Sequence, residues 1–389
     1  MKTITTTQEL SDYCKYAAQF DFVTVDTEFL RERTYFSKLC LVQLAVPDDA
    51  SGAAVLVDPL SNGMALDPLY GLLADPGIVK VFHAARQDLE IFFIEGGVIP
   101  APLFDTQVAA MVCGFGEQVG YETLVRKIAK AQLDKTSRFT DWSRRPLTEA
   151  QQTYALADVT HLRDIYLELK RQISKSDRMA WVEEEMAVLR NPSTYVVEPD
   201  EAWKRVKTRT NSGKFLAVVR ELAKFRETYS KDRNVPRNRV FKDDAMLELA
   251  STKPKSAQDL NRSRLLLREA RKGDIADGIL AAVAAGLACD PKDYPDAIDD
   301  RSKLQINPAL ADLLRVLLKA KSEHAGVAQR MISSAAELDE LSAGKRDLPA
   351  LSGWRFEVFG KDALRLCNGE IALAAKNGKV KVIELGRET

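Results

Sequence analysis

Apolar positions in the first 175 residues follow two periods. Four short runs rich in β-branched and aliphatic residues, Phe22–Val25, Leu39–Val46, Ala53–Val57 and Ile78–Phe82, are bounded by turn residues, with Asp58-Pro59 closing the third and Asp75-Pro76-Gly77 opening the fourth. Runs of this kind predict strands. Between and after them, apolar residues recur at helical spacing over about 7–18, 66–74, 85–95, 105–114, 119–130 and 148–172. Strands followed by helices predict an α/β domain, a central sheet covered by helices. The close succession of the first three strands predicts antiparallel hairpins, so the sheet is expected to be mixed.

The pattern changes at 190–202, where Asn191-Pro192-Ser193 and Glu198-Pro199-Asp200 break regular structure and read as a linker. Beyond it the spacing is helical throughout, interrupted at about 289–306 by Asp290-Pro291, Tyr294-Pro295 and Asp299-Asp300. Helical patterns return over 308–360. The chain then ends on Ile371-Ala372-Leu373 and Val380-Lys381-Val382-Ile383 around Asn377-Gly378, a hairpin signal. The expected units are 1–190, 203–290 and 305–389, in keeping with two or three domains for 389 residues. No strict repeat is found, although 210–290 and 308–360 read as related helical modules.

Total charge is uninformative, with 56 Lys and Arg against 56 Asp and Glu, but its distribution is not. Between Trp203 and Lys242 there are 13 Lys and Arg against 3 Asp and Glu, so the remainder of the chain is net acidic. A basic segment beside an acidic domain fits a nucleic-acid-binding element next to a catalytic one, and also fits a solvated helical face. The five cysteines, Cys14, Cys40, Cys113, Cys289 and Cys367, have no Cys-x-x-Cys spacing and are odd in number, which argues against a disulfide framework or a zinc site. The three histidines have no ligand-like spacing either. With no signal-peptide pattern at the first residues and no long apolar stretch, a cytoplasmic, non-membrane protein is expected.

Within the α/β part, Asp26 and Glu28 lie two apart at the end of the first strand run, so both carboxylates point to one face. Capping of a helix or pairing with Arg31 or Arg33 would also account for them. Tyr154 and Asp158 are four apart in a helix opened by Thr148, which places a phenol and a carboxylate on one helical face. Asp88 stands near the start of the helix after the fourth strand, where it could favour the helix dipole. Each signal alone has a plain structural reading. Together they supply oxygen ligands of the kind that hard divalent cations require.

In this order and setting the residues resemble the three motifs of the DEDD superfamily of 3′→5′ exonucleases. Asp26 and Glu28 match the first motif, Asp88 the second, and Tyr154 with Asp158 the third, in its tyrosine subgroup. Within that subgroup the chain is most similar to the ribonuclease D family. Supporting fragments are Leu41-Val42-Gln43-Leu44, Phe104-Asp105-Thr106-Gln107, Leu133-Asp134-Lys135 and Thr140-Asp141-Trp142. The resemblance implies an RNase H-like exonuclease fold and hydrolysis of 3′-terminal phosphodiesters with two Mg²⁺ or Mn²⁺ ions, yielding nucleoside 5′-monophosphates. It implies that Asp26, Glu28 and Asp158 hold one metal. Asp26 bridges to the second, which Asp88 supports, and Tyr154 positions the attacking water. Thr27 and Phe29 flank the first motif and are expected to contact the terminal nucleotide.

Residues 210–288, with Asn234-Val235-Pro236-Arg237-Asn238-Arg239, resemble the HRDC domain, a small helical bundle that implies nucleic-acid binding. Lys231, Arg233, Arg237 and Arg239 are its expected phosphate contacts. The stretch 308–360 resembles a degraded second HRDC-like module that lacks the proline turn, and Leu351-Ser352-Gly353-Trp354-Arg355 resembles the family's tail. The expectation is a monomeric exoribonuclease acting on structured RNA, above all on tRNA precursors. A DNA exonuclease, or a scaffold with an inactive nuclease domain, remains open at this point.

Overall fold

The computed structural model describes residues 2–48, 50, 52–134, 137, 140–208, 210, 212–296 and 304–385. Lys135 and Asp299-Asp300, used above, lie outside the described residues. Six strands form one sheet: β1 (Lys2–Ile4), β2 (Phe22–Leu30), β3 (Lys38–Ala45), β4 (Ala54–Val57), β5 (Val79–Phe82) and β6 (Leu103–Asp105), in the order β1-β4-β3-β2-β5-β6. The β2–β3 and β3–β4 pairs are antiparallel, while β1–β4, β2–β5 and β5–β6 are parallel. The mixed sheet and its early hairpins therefore agree with the sequence pattern. Strands β1 and β6, three residues each, are too short to show an alternation.

Seven helices accompany the sheet: α1 (Thr7–Ala17), α2 (Asp67–Ala74), α3 (Arg86–Gly96), α4 (Thr106–Val112), α5 (Tyr121–Leu124), α6 (Glu149–Lys175) and α7 (Met179–Arg190). The single helix expected over 119–130 is instead α5 followed by a π-helical turn, Val125–Ala129, that ends on Lys130 at φ 56°. Helix α6 crosses β2, β3 and β4 on one face. Its start is fixed by a capping box in which Thr148 accepts from the Gln151 amide and the Gln151 side chain reaches back to the Thr148 amide. On the same face, the Thr24 hydroxyl donates to the Val159 carbonyl of α6 at 2.8 Å, tying helix to sheet.

The linker region is not featureless: Pro192–Thr194 and Pro199–Arg205 are short 3-10 turns, and Ala202 and Trp203 are buried in the core of the following bundle. That bundle comprises α8 (Gly213–Asp232), α9 (Arg237–Val240), α10 (Asp243–Thr252), α11 (Ala257–Leu260) and α12 (Gly273–Ala288). Gly286 is required where α12 crosses α8, since a Cβ there would sit 2.5 Å from the Val218 Cα. After the second break, α13 (Pro308–Ala325), α14 (Gln329–Ile332) and α15 (Ala335–Ser342) repeat the long, four-residue, medium order of α8 to α10. A short helix α16 (Gly353–Arg355), a π-helical turn, α17 (Lys361–Cys367) and the hairpin β7 (Ile371–Lys376)–β8 (Lys379–Glu384) complete the chain.

This last module packs back on the sheet domain. Trp354 stacks on Trp181 of α7 at 4.7 Å and 14°, Arg355 pairs with Glu184 at 2.9 Å and with Glu185, and the Ala328 amide donates to the Met111 carbonyl at 3.2 Å. Its buried residues merge with the sheet core, whereas α8–α12 keep a separate core. No helix of the described residues is long and apolar enough to cross a membrane.

Candidate active site

Strand β2 is longer than its apolar run. It continues to Leu30, so Asp26 and Glu28 lie inside the strand and not at its end as expected, and the ladder with β3 shifts register only between Glu28 and Phe29. The parallel partner β5 pairs with β2 over Phe22–Thr24 alone, leaving the Asp26–Leu30 edge to the turn and helix that follow β5. Asp26 and Glu28 point to the α6 face. There Asp158, one turn beyond Tyr154, completes a cluster in which one ligand oxygen from each of Asp26, Glu28 and Asp158 lies within 4.8 Å of the others. The cluster and Tyr154 line a cleft of about 300 Å³, together with His83, Tyr121 and Leu133.

Asp88 stands beside this trio. Its Oδ1 accepts the hydroxyl of Thr27, which is buried on the opposite side of β2 from Asp26. The Thr27 side chain, at an odd position of β2, turns toward α3 and supports Asp88. Burial, then the charges of Asp158, Asp88 and Glu28, push Asp26 well above the usual carboxylate range. Burial raises Asp88 to about 7, against the Thr27 hydrogen bond, which lowers it. Acids this crowded in a half-buried cleft favour either protons or cations.

Two fragments noted in the sequence prove to be supports. Asp105 is buried and caps α4, accepting from the amides of Gln107 at 2.8 Å and Val108 at 3.4 Å. The same carboxylate accepts from the amides of Ala84 at 3.1 Å and Ala85 at 2.8 Å, holding the turn that launches α3 and Asp88, where Ala84 has φ 58°. Trp142 is buried against Tyr154 with ring centroids 6.0 Å apart, and Arg145 fixes the Trp142 segment by pairing with Asp58 at 2.6 Å and donating to the Cys40 carbonyl at 2.6 Å.

Sequence reading missed His83 and Tyr121 as cleft residues. His83 is one of the three histidines without ligand-like spacing. Its Nδ1 is 2.9 Å from the Thr106 hydroxyl, and burial lowers its proton affinity. The Tyr121 hydroxyl donates to the Ala157 carbonyl at 2.9 Å, and burial raises it well above its usual range. Gln43 lies directly across from Asp26 on β3, fully buried, with neither amide atom hydrogen-bonded among the described residues. The sequence signal was present for Gln43, a polar residue in the middle of an apolar strand.

The expected RNA contacts are dispersed. Phe29 is half-buried at the end of β2. Arg239 is exposed, and Arg233 pairs with Asp274 at 3.1 Å on the surface. Lys231 donates to the Val197 carbonyl. Arg237 is committed to a junction with the sheet domain: it chelates the buried Glu227 at 2.5 Å, donates to the Tyr35 hydroxyl at 2.9 Å and lies 4.6 Å over the Tyr35 ring. The Tyr35 hydroxyl also donates to Glu227, while Asn234 Oδ1 accepts from the Tyr35 and Phe36 amides at 3.1 and 3.0 Å. Its low exposure follows from that latch, so the positive charge of this turn is partly spent inside the protein.

Comparison with known proteins agrees with this geometry. Residues 1–174 match the family described as 3′-5′ exonuclease, and residues 215–283 match the HRDC domain. The chain is 63% identical over 383 residues to ribonuclease D of Jannaschia sp. (strain CCS1), covering 98% of this chain and 99% of that one. It is 46% identical over 385 residues to ribonuclease D of Granulibacter bethesdensis, covering 98% and 96%. The crystal structure of Escherichia coli RNase D, described as an exoribonuclease involved in structured RNA processing, superposes with a TM-score of 0.83 at 28% identity, covering 95% of this chain and 98% of that one. With three acids of the DEDD motifs in one cleft, the fourth beside them, an HRDC bundle behind and full-length relatives of this identity, the chain belongs to the ribonuclease D family of 3′→5′ exoribonucleases.

Proposed function

We propose that the protein trims the 3′ ends of structured RNA, tRNA precursors foremost, releasing nucleoside 5′-monophosphates, and that it does so as a cytoplasmic monomer. The working units are 1–190, 203–290 and 305–389. The observation that carries the reading is the convergence of Asp26, Glu28 and Asp158 within 4.8 Å in the cleft that Tyr154 lines.

The donor set fits hard divalent cations: three carboxylates converge, and the crowding that raises Asp26 is relieved when a cation neutralises them. Asp26, Glu28 and Asp158 would hold one Mg²⁺ or Mn²⁺, with Asp26 and Asp88 serving a second. When bound, such ions activate water and stabilise the charge that develops on the attacking and leaving oxygens. Tyr154, steadied by Trp142, orients the attacking water with its hydroxyl, so no histidine base is needed. Phe29 offers a ring to the terminal base. Thr27 keeps Asp88 aimed from behind the strand. Arg233 and Arg239 on the bundle surface contact RNA phosphates, while Lys231 and Arg237 face the junction between bundle and sheet domain.

The test uses purified protein with Mg²⁺ or Mn²⁺ against EDTA, on 5′-labelled 3′-extended tRNA-like RNA and on single-stranded DNA of matching sequence. Metal-dependent laddering from the RNA 3′ end that stops near the stem is the expected result. DNA degraded as fast would replace the reading with a DNA exonuclease, and no cleavage of either would leave a binding scaffold.

A further inference from the structure

A second cleft lies where the sheet domain meets the HRDC bundle. Its volume is about 360 Å³, and its walls come from the β2–β3 loop, the outer face of α3, the 194–205 segment and the bundle residues Lys231 and Arg237. Its charge is the inverse of the acidic cleft. Arg31, Arg86, Arg205, Lys231 and Arg237 line it against one carboxylate, Glu90. Three of these cations are engaged: Arg31 with Glu90 at 3.0 Å, Arg237 with Glu227 and Lys231 with a carbonyl. Arg86 and Arg205 are exposed and, among the described residues, make no ion pair. Tyr35, Phe36, Phe93 and Tyr195 also contribute to its lining, with Tyr195 buried and the Tyr35 ring under Arg237.

A groove rich in cations, two of them unpaired among the described residues, is the chemistry that holds the phosphates of a single nucleic-acid strand. The placement relative to the acids is equally specific. Arg31 is three residues past Glu28 on the same chain direction, a span of about 10 Å in extended backbone. Arg86 is two residues before Asp88 on α3. Helix α3, which carries Asp88, and the loop that continues β2 past Glu28 thus also line the basic cleft. The walls are already locked together by the Tyr35–Glu227–Arg237 cluster and by Asn234, so the cleft exists before any ligand arrives.

We infer that this interdomain cleft holds the phosphate backbone of the single strand leading away from the scissile bond, with Arg86 and Arg205 as its free phosphate ligands. The inference rests on the exonuclease reading above for the direction of the strand, but not for the binding itself.

The experiment measures fluorescence anisotropy of 5′-fluorescein single-stranded RNAs of 4 and 16 nucleotides in EDTA over a salt series, for the full chain and for the Arg86→Ala/Arg205→Ala double variant. The 16-mer is expected to lose at least tenfold in affinity at low salt. Its slope of log K against log salt should fall by about 1.4, at about 0.7 per phosphate contact on a single strand. Both residues are exposed and unpaired, so folding is not at stake, and Arg86→Lys/Arg205→Lys should recover most of the affinity. Metal-dependent hydrolysis of a dinucleotide should be unchanged in the double variant. An equal loss on DNA of the same sequence assigns the contacts to phosphates and supports the inference. Unchanged affinity and slope for the 16-mer would overturn it, whatever the dinucleotide shows. A wild-type protein that binds the 16-mer through these arginines yet releases no nucleotide from any RNA 3′ end in Mg²⁺ or Mn²⁺ would overturn the exonuclease reading and leave the cleft standing.

Discussion

Asp105 is not one of the clustered carboxylates, yet its removal should cripple the site. The carboxylate is buried and accepts four backbone amides, two from the first turn of α4 and two from the turn that launches α3. Asp105→Ala removes an N-cap, worth about 1 kcal/mol. It also strands the buried Ala85 amide, at about 1–3 kcal/mol for a buried donor left unmade, whereas the exposed Ala84 can turn its amide to water. The sum, about 2–4 kcal/mol, would lower Tm by on the order of 10 °C for a unit of this size. Because Ala84 sits at φ 58°, a strained position for alanine, the freed turn should relax and carry Asp88 with it. Thermal denaturation followed by circular dichroism, and kcat on a short single-stranded RNA at a temperature where the variant is folded, check both parts. A loss below 1 kcal/mol with unchanged kcat would refute the argument that this one carboxylate sets the α3 turn.

Three further outcomes follow from the structure. In EDTA, Asp26 and Asp88 hold protons more tightly folded than unfolded, Asp88 at about 7, so their contribution favours the fold at low pH and is lost as pH rises through 7; Tm should fall between pH 5 and 8 and Mg²⁺ should restore it at pH 8, whereas a Tm that rises over that window and ignores Mg²⁺ would count against the crowding of these acids. Gln43→Leu replaces a buried amide with no partner by an apolar group and should raise stability by about 1–2 kcal/mol in urea titration, and a clear loss would show that the amide is bonded in solution. Trp354→Ala removes a buried ring stacked on Trp181 and should cost about 3–5 kcal/mol, with enhanced proteolysis of the last module; unchanged protease resistance would mean that this module is held by other contacts.

The α/β part was legible because its strands are apolar runs with strong turn punctuation and its helices are long. Strand β2 was read too short because it turns polar at Asp26, and the site is the reason: a strand that presents carboxylates cannot keep an apolar alternation. Strands β1 and β6 carry three residues each, too few for any period to register. The acids were found from their order along the chain, but their mutual placement was not. Nothing in the spacing shows that Thr27 turns to Asp88 or that Asp105 serves two elements, since both facts depend on how β5 stops pairing with β2 at Thr24. The basic run from Trp203 to Lys242 pointed to nucleic acid, and charge counting could not show that Arg237 pairs with a buried Glu227. Arg205 belongs to that run and Arg86 to the helix expected over 85–95, but charge and periodicity could not show that the two meet in one cleft.

The central claim is that the Asp26, Glu28 and Asp158 cluster performs the hydrolysis of RNA 3′ ends. Asp26→Asn keeps the shape of the side chain and removes the charge that the cluster shares. The most direct measurement is single-turnover cleavage of 5′-labelled 3′-extended RNA in Mg²⁺ by the wild-type chain and by Asp26→Asn, with RNA affinity measured in parallel. The account predicts binding within about twofold and a cleavage rate lower by about a thousandfold, the scale of losing a preorganised charge at a reacting centre. A variant that still ladders the RNA at the wild-type rate would contradict it.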